Sequence, residues 1–454
     1  MPFSPRVSRL VATLKTFPQR LRASKASVLI HGMNYAPELI GVAKYTSELA
    51  RYMADRGHRV EVVAALPHYP ASRVAAARPW RLTIGQDSGV RVTRCPLVAR
   101  PGRIWRLVAP LSFAVLAAPV VIARALLCRP DTVLCVEPTL LAAPAALLAA
   151  RLVGARTVLH VQDLELEAAV ATGHLGWAAP LLWLARAFER AMRRRFDAVV
   201  TISDAMADRL RRQRDLGSVS VLRNWVDTER FLSRPAVPGQ RTALGVPPNR
   251  RLVVYAGNLG AKQGLPVLIE AARHLRADPA IHVLVVGDGV AAAQVRAAAA
   301  GLPNLSFAGL LPADGLADLL FAADLHVLPQ DRAASDLVFP SKLGPLLMTG
   351  KPIVVTADAC SELATWLGAA AWRSPPGDGR ALAEAIVTGL HQGTNSDPIR
   401  AAALGRSLDK EAILPAFERC LMAPGWRRHG LVRARRVVSA GPVLPAGQGA
   451  EVLA

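Results

Sequence analysis

In the stretch Val253–Leu275, VVYAGNLGAKQGLPVLIEAARHL, an apolar run passes into a turn holding Gly257, Gly260, Gly264 and one cation, Lys262, and then into an amphipathic pattern. A strand, a glycine turn and a helix start make an anion site, because unpaired amides and the positive end of the helix dipole point at one place. Lys262 adds a full charge there, and the glycines let the backbone approach a ligand with no Cβ in between. A diphosphate suits this chemistry. A turn rich in glycine for steric reasons alone is the competing reading, so the rest of the chain has to decide.

The elements that must hold such a turn recur along the chain. Ser27–His31, Val60–Ala64, Val90–Thr93, Thr132–Val136, Thr157–His160 and Ala198–Ile202 are short apolar runs separated by helical stretches. The pattern breaks at the Pro-rich, polar segment Ser233–Asn249 and restarts with Leu252–Tyr255, His282–Val286, Leu325–Leu328 and Ile353–Val355. Alternating strands and helices predict parallel, doubly wound sheets. The expected division is a basic tail over 1–25, an α/β domain over 26–232, a linker over 233–249, a second α/β domain over 250–408, a closing helix over 409–424 and a basic tail over 425–454. Ligands of such sheets bind beyond the carboxyl ends of the strands, which points to the cleft between the domains.

The chain has 454 residues, 52% of them hydrophobic, and a net charge of +21. That charge favours anionic partners. Aromatic residues are only 5% and no zinc-finger, RNP-type or basic-helix pattern occurs, which argues against nucleic acid. Part of the excess is arginine in the two tails, which read either as solvated ends or as contacts to an anionic bilayer, worth about 1 kcal/mol per basic residue near the surface. Cys95, Cys128, Cys135, Cys360 and Cys420 show no metal spacing and are odd in number, as expected of a reduced, cytosolic protein. Met1–Lys25 lacks the continuous apolar core of a signal peptide.

Leu107–Leu127 carries a single charge, Arg124, and is long enough as a helix to cross a bilayer. A simple crossing conflicts with the two strands it joins, which are expected to be neighbours in one sheet. Pro110 and Pro119 interrupt it, and Arg100, Arg103, Arg106 and Arg129 flank it. A helix lying in the membrane interface fits this pattern, with a buried connecting helix as the alternative and Leu140–Val153 as an addition to the same surface.

Several segments, in order, resemble one family: NYAPELIGVAKYTSELARYMADRGHRVEVVAALPHYP, FERAMRRRFDAVVTISDAMADRL, RNWVDTERF, AGNLGAKQGLPVLIEAA, VLVVGDGV, LPNLSFAGLLPADGLADLLFAADLHVLPQ and VFPSKLGPLLMTGKPIVVTAD. They are similar to the GT-B glycosyltransferases of family 4. With GNLGAKQG, QDLELE and FPSKL they resemble in particular the exopolysaccharide branch, which includes colanic-acid biosynthesis and O-antigen deoxyaminosugar transferases. The resemblance implies two facing Rossmann-like domains and a retaining, metal-independent transfer from a nucleotide diphosphate-sugar, with no cofactor.

It also implies roles for residues. Lys262 is one half of the family's basic pair on the donor diphosphate, with Asn258 at the usual arginine position. Gly287, Asp288 and Gly289 match a second donor loop, although alone they read as a tight turn. Near the last cleft loop the family places two glutamates, where this chain has Leu337 and Pro345. Asp336 is the nearest carboxylate for the sugar-side role, and Ser341 and Lys342, at a helix start after Pro340, are placed for phosphate or ribose. Gly41 matches the loop under the diphosphate. His160, Gln162 and Asp163 match a loop facing the sugar and His68 an acceptor contact; each histidine has a packed core residue as its alternative. Glu38, Glu165 and Glu167 are equal candidates for an acceptor base.

The expected function is transfer to a polyprenyl-diphosphate-linked saccharide in exopolysaccharide or O-antigen synthesis, at the inner face of the cell membrane. A nucleotide-sugar 2-epimerase and a non-catalytic assembly subunit on the same scaffold are the alternatives.

Overall fold

The computed structural model describes residues 25–38, 41–68, 81–98, 105–164, 166–167, 170, 179–212, 216–231, 239–247, 249–260, 263–332, 339–393 and 397–423. Two sheets carry it. The first has eight strands: β1 (Ser27–His31), β2 (Arg59–Ala65), β3 (Thr83–Asp87), β4 (Val90–Cys95), β5 (Thr132–Glu137), β6 (Arg156–Val161), β7 (Ala198–Thr201) and β8 (Ser218–Val221), in the order β3-β4-β2-β1-β5-β6-β7-β8. The second has β9 (Arg251–Ala256), β10 (Ile281–Val286), β11 (Leu305–Ala308), β12 (Leu325–Leu328), β13 (Ile353–Thr356) and β14 (Trp372–Ser374), in the order β11-β10-β9-β12-β13-β14. Every pairing is parallel except β3 with β4.

Every residue of β1, β5 and β10 is buried, as strands covered on both faces require. Strand order reverses beside β1 in one sheet and beside β9 in the other. The crevice of a doubly wound sheet opens at such a reversal, so the loops leaving β1 and β9 are where a ligand belongs. The first runs into helix α1 (Gly41–Asp55) and the second is the glycine turn at Gly257.

Further helices are α2 (Trp105–Cys128), α3 (Ala143–Val153), α4 (Asp204–Arg211), α5 (Leu265–His274), α6 (Leu343–Met348), α7 (Glu362–Leu367) and α8 (Lys410–Met422). Although α8 comes after the second domain, it packs on the first: Phe417 lies edge-on to His160 at 4.9 Å, Thr132 donates to the Leu421 carbonyl at 2.8 Å, and Glu418 meets His58 at 3.0 Å.

Helix α2 lies on the first sheet, with Phe113, Ala117, Val121 and Ala125 fully buried against it and Arg124 bonded to Glu61 of β2 at 2.8 Å. The strands it joins share that sheet, but they are not the neighbours expected: β2 and β1 lie between them. Among the described residues its segment Val108–Cys128 is the one helix long and apolar enough to cross a membrane.

Candidate active site

Strand β9 ends at Ala256, and the chain then turns through Gly257 at φ 148°. A Cβ there would stand 2.2 Å from Cε of Lys342, so only glycine leaves room for that side chain. Lys342 lodges beneath the turn and donates to the Tyr255 hydroxyl and to Oε1 of Gln263, both at 2.7 Å, with its amine 4.2 Å from the centre of the Tyr255 ring. Tyr255 in turn donates to the Asn258 carbonyl at 2.7 Å. Burial pushes the Lys342 amine down to about 7, so it titrates near neutrality.

The second glycine loop interlocks with the first. Gly287 has φ 143° and a Cβ on it would fall 1.9 Å from the Gly257 carbonyl oxygen. The Leu259 amide donates to the Asp288 carbonyl at 2.9 Å, and a Cβ on Gly289 would meet Asn258 Oδ1 at 2.5 Å. Asn258, Gly287, Asp288 and Gly289 therefore form one surface at the ends of β9 and β10.

The first domain closes on this surface. A Cβ at Gly41 would lie 3.5 Å from Ser341 Oγ, and the Tyr45 hydroxyl donates to the Ser341 carbonyl at 3.4 Å. On another side of the junction, Glu362 of α7 accepts from the amides of Asp204 and Ala205 at 2.9 and 2.7 Å, capping α4 from across the domain boundary. Arg223 joins Glu362 at 2.7 Å and covers the Phe339 ring at 4.4 Å. Helix α6 begins at Leu343, directly after Lys342, but the Lys342 amine turns under the glycine loop rather than standing at that helix start.

At the carboxyl ends of β1 and β2 a polar cluster forms. Glu38 accepts from the His68 backbone amide and pairs with its Nδ1, both at 2.8 Å, while Asn34 donates to the other carboxylate oxygen at 3.0 Å. Burial pushes Glu38 up, but the His68 hydrogen bond and charge outweigh it and hold the carboxyl below its ordinary value. Burial likewise pushes His68 down, and the Glu38 bond and charge outweigh it, leaving the imidazole more basic than usual. Arg94 of β4 holds the same loop through the Ala36 carbonyl. Of the three loop carboxylates, Glu38 is the one paired with His68; Glu167 is bonded instead to Arg209 at 3.3 Å.

The sequence matches two family models, the glycosyl transferase 4-like domain over residues 41–225 and glycosyl transferases group 1 over residues 250–392. It is 37% identical over 407 residues to WcaI of Escherichia coli (strain K12), described as a putative colanic acid biosynthesis glycosyl transferase, covering 86% of this chain and 98% of WcaI. The chain belongs to the group 1 glycosyltransferases. Its fold is GT-B: sucrose-phosphate synthase from Thermosynechococcus elongatus superposes with a TM-score of 0.68 at 17% identity, over 87% of this chain and 98% of that one. Anabaena HepE in complex with UDP-glucose does so with 0.63 at 17% identity, over 87% and 99%.

In this glycosyltransferase the remaining expected residues are placed unequally. His160 is 2% exposed and packs on Phe417, and burial pushes its ring down to about 3, so it is a neutral packed side chain rather than a cleft contact. A histidine at the end of an apolar run could face either way, and its packing partner comes from α8, far along the chain. Gln162 is buried and Asp163 half-buried. Lys262, Asp336 and Glu165 lie outside the described residues, as do residues 1–24 and 425–454 of the basic tails. Among the described residues no three His, Cys, Asp or Glu side chains gather as a metal site. Sequence reasoning missed Tyr255 and Gln263, which hold Lys342, and Asn34 and Arg94, which hold the Glu38 loop. A lone tyrosine in the aliphatic run RLVVYA was the available signal.

Proposed function

We propose that this glycosyltransferase transfers a sugar, with retention and without a metal, from a nucleoside diphosphate sugar to a polyprenyl-diphosphate-linked saccharide at the inner membrane face. The observation that carries the reading is the buried Lys342 amine beneath the Gly257 turn, with Gly41 and Ser341 meeting across the cleft. In the transfer the bond between the anomeric carbon and the diphosphate oxygen breaks, a bond from that carbon to the acceptor hydroxyl oxygen forms, and the hydroxyl proton is carried off with the departing diphosphate. The nucleoside diphosphate leaves with its charge held by the interlocked glycine loops and Lys262, the kind of preorganised stabilisation on which such a step depends. In this reading Ser341 is assigned to the ribose, Asp336 to the sugar and the Glu38–His68 pair to the acceptor. HepE, a protein of the same fold, binds UDP and UDP-glucose, and WcaI is named for colanic acid, a polysaccharide.

Peripheral attachment belongs to the same reading. Leu111, Val115, Leu126 and Leu127 of α2 are each more than half exposed, and Leu141, Leu148 and Leu152 continue an apolar surface onto α3 and the turn before it. Such a face suits the headgroup boundary of a bilayer.

Thermal stabilisation by a panel of UDP- and GDP-sugars tests the donor. A ligand at 100 times its dissociation constant adds about 2.7 kcal/mol of stability. Stabilisation by one or more donors, followed by radiolabel transfer to a polyprenyl-diphosphate saccharide with EDTA present, is the expected result. Epimerised sugar or nucleotide-sugar formed without acceptor would overturn the transfer reading in favour of an epimerase, and no stabilisation by any nucleotide would overturn it altogether.

A further inference from the structure

At the end of the first sheet opposite the cleft, where its parallel strands begin, a cavity of about 540 Å³ opens between the β3–β4 hairpin and the last turn of α2. Arg59 and Glu61 of β2, Gln86 of β3, Arg91 of β4, and Arg124 and Leu127 of α2 line it. Three arginines face one carboxylate, and that carboxylate is taken by Arg124 at 2.8 Å. Arg59 is braced against Ser27 Oγ at 3.1 Å and against the Cys128 carbonyl, so its guanidinium is held in place. Arg91 is exposed and carries the net charge of the cavity outward.

Apolar side chains flank this basic cavity on both sides. On one, Leu127 and Leu126 end α2 at 73% and 51% exposed. On the other, Ile84 and Leu82 stand 62% and 50% exposed on and beside β3, on the same strand face as Gln86 by the two-residue alternation. Cations in a recess that has exposed Leu127 at its wall and further exposed hydrocarbon on the elements bounding it match a molecule whose phosphate and acyl chains are joined. Soluble anions need no such rim, and the exposed apolar surface that continues along α2 and α3 through Leu111, Val115, Leu148 and Leu152 favours a bilayer over a peptide.

We propose that this cavity is a headgroup site for an anionic phospholipid, which seats α2 on the bilayer by its Cys128 end. This rests on peripheral attachment to the membrane and goes beyond it, because it assigns lipid selectivity to one built recess rather than to overall charge or to the tails. Guanidinium forks suit a phosphodiester, and each basic residue at an anionic surface is worth about a fivefold gain in binding.

Co-sedimentation of the full-length protein with phosphatidylcholine vesicles, alone and with 30 mol% phosphatidylglycerol, tests it. Arg91→Glu is the probe, since this exposed residue can change without unburying a partner. Arg276→Glu on the second domain makes the same change in net charge far from the cavity. The expected result is a loss of roughly tenfold in affinity for the phosphatidylglycerol vesicles with Arg91→Glu, a loss under about threefold with Arg276→Glu, and little change for either on neutral vesicles. Equal losses for the two variants would reduce the cavity to bulk charge and overturn the proposal, as would unchanged binding by Arg91→Glu, while peripheral attachment itself would stand. Failure of the wild-type protein to bind either vesicle would overturn the membrane reading and the site together.

Discussion

The amine of Lys342 lies 2.7 Å from the hydroxyl of Tyr255 and 4.2 Å from the centre of its ring. The lysine just before α6 is thereby fixed to the strand that launches the Gly257 loop. Burial lowers the lysine from 10.5 to about 7, which gives stability a direction with pH. Between about 7 and 10.5 the unfolded chain holds a proton that the native lysine has released, so stability rises with pH across that window, and the cost is fully present below it. Denaturant titrations from about pH 6.5 to 10 are expected to show this rise, and Lys342→Met to flatten it.

A bound diphosphate reverses the balance, because a nearby anion favours the charged lysine. Nucleoside diphosphate affinity is therefore expected to fall as pH rises from about 7 to 9, with proton uptake on binding visible as a dependence of calorimetric heat on buffer ionisation enthalpy. The slope should vanish in Lys342→Met. A slope that survives in that variant assigns the proton to another group.

Gly257→Ala places a methyl group on a backbone at φ 148° and 2.2 Å from Cε of Lys342. Strained backbone of this kind costs ~1–3 kcal/mol. We expect a comparable loss in unfolding free energy and a larger loss in donor affinity. Combining it with Lys342→Ala should recover part of the stability, because the added methyl group and the space left by the lysine coincide; a strictly additive pair would mean that they do not.

Glu38→Gln breaks a buried pair and leaves His68 beside a neutral amide. Removing one partner of a buried ion pair costs ~3–5 kcal/mol. In the native protein the raised His68 adds stability that is complete below 6.5 and is lost as pH rises through its folded value. The lowered Glu38 adds stability above 4.5 that is lost as pH falls through its own. NMR titration of His68 is expected to move towards or below 6.5 in Glu38→Gln, and, if the pair serves the acceptor as proposed, sugar transfer to drop more than donor binding.

Much of the frame was legible. Ten apolar runs found from the sequence are strands, because buried parallel strands write themselves as continuous Val, Ile and Leu. The four that escaped, TIGQD, SVSV, LSFA and WRS, are short and each ends a sheet, where partial exposure dilutes the apolar signal. The glycine loops came from local pattern and family resemblance, which also singled out Gly41 and Ser341 separately, whereas their meeting is visible only in the structure. The contacts that escaped were set by distant partners: Tyr255 and Gln263 capturing Lys342, His68 finding Glu38, and Phe417 covering His160.

Phe417→Ala is expected to destabilise the first domain although it lies near the end of the chain. The ring is fully buried between His160 and Trp225, and loss of such a side chain costs ~3–5 kcal/mol. The fluorescence of Trp225 should report this loss during denaturation.

The same helix sets the order of events during synthesis. A nascent amino-terminal domain ordinarily folds while the ribosome is still translating the next one. Here His58, Thr132 and His160 wait for Glu418, Leu421 and Phe417, so the first domain emerges with an open seam that only α8 can seal. A ribosome that stalls within the second domain leaves the first one unfinished as well.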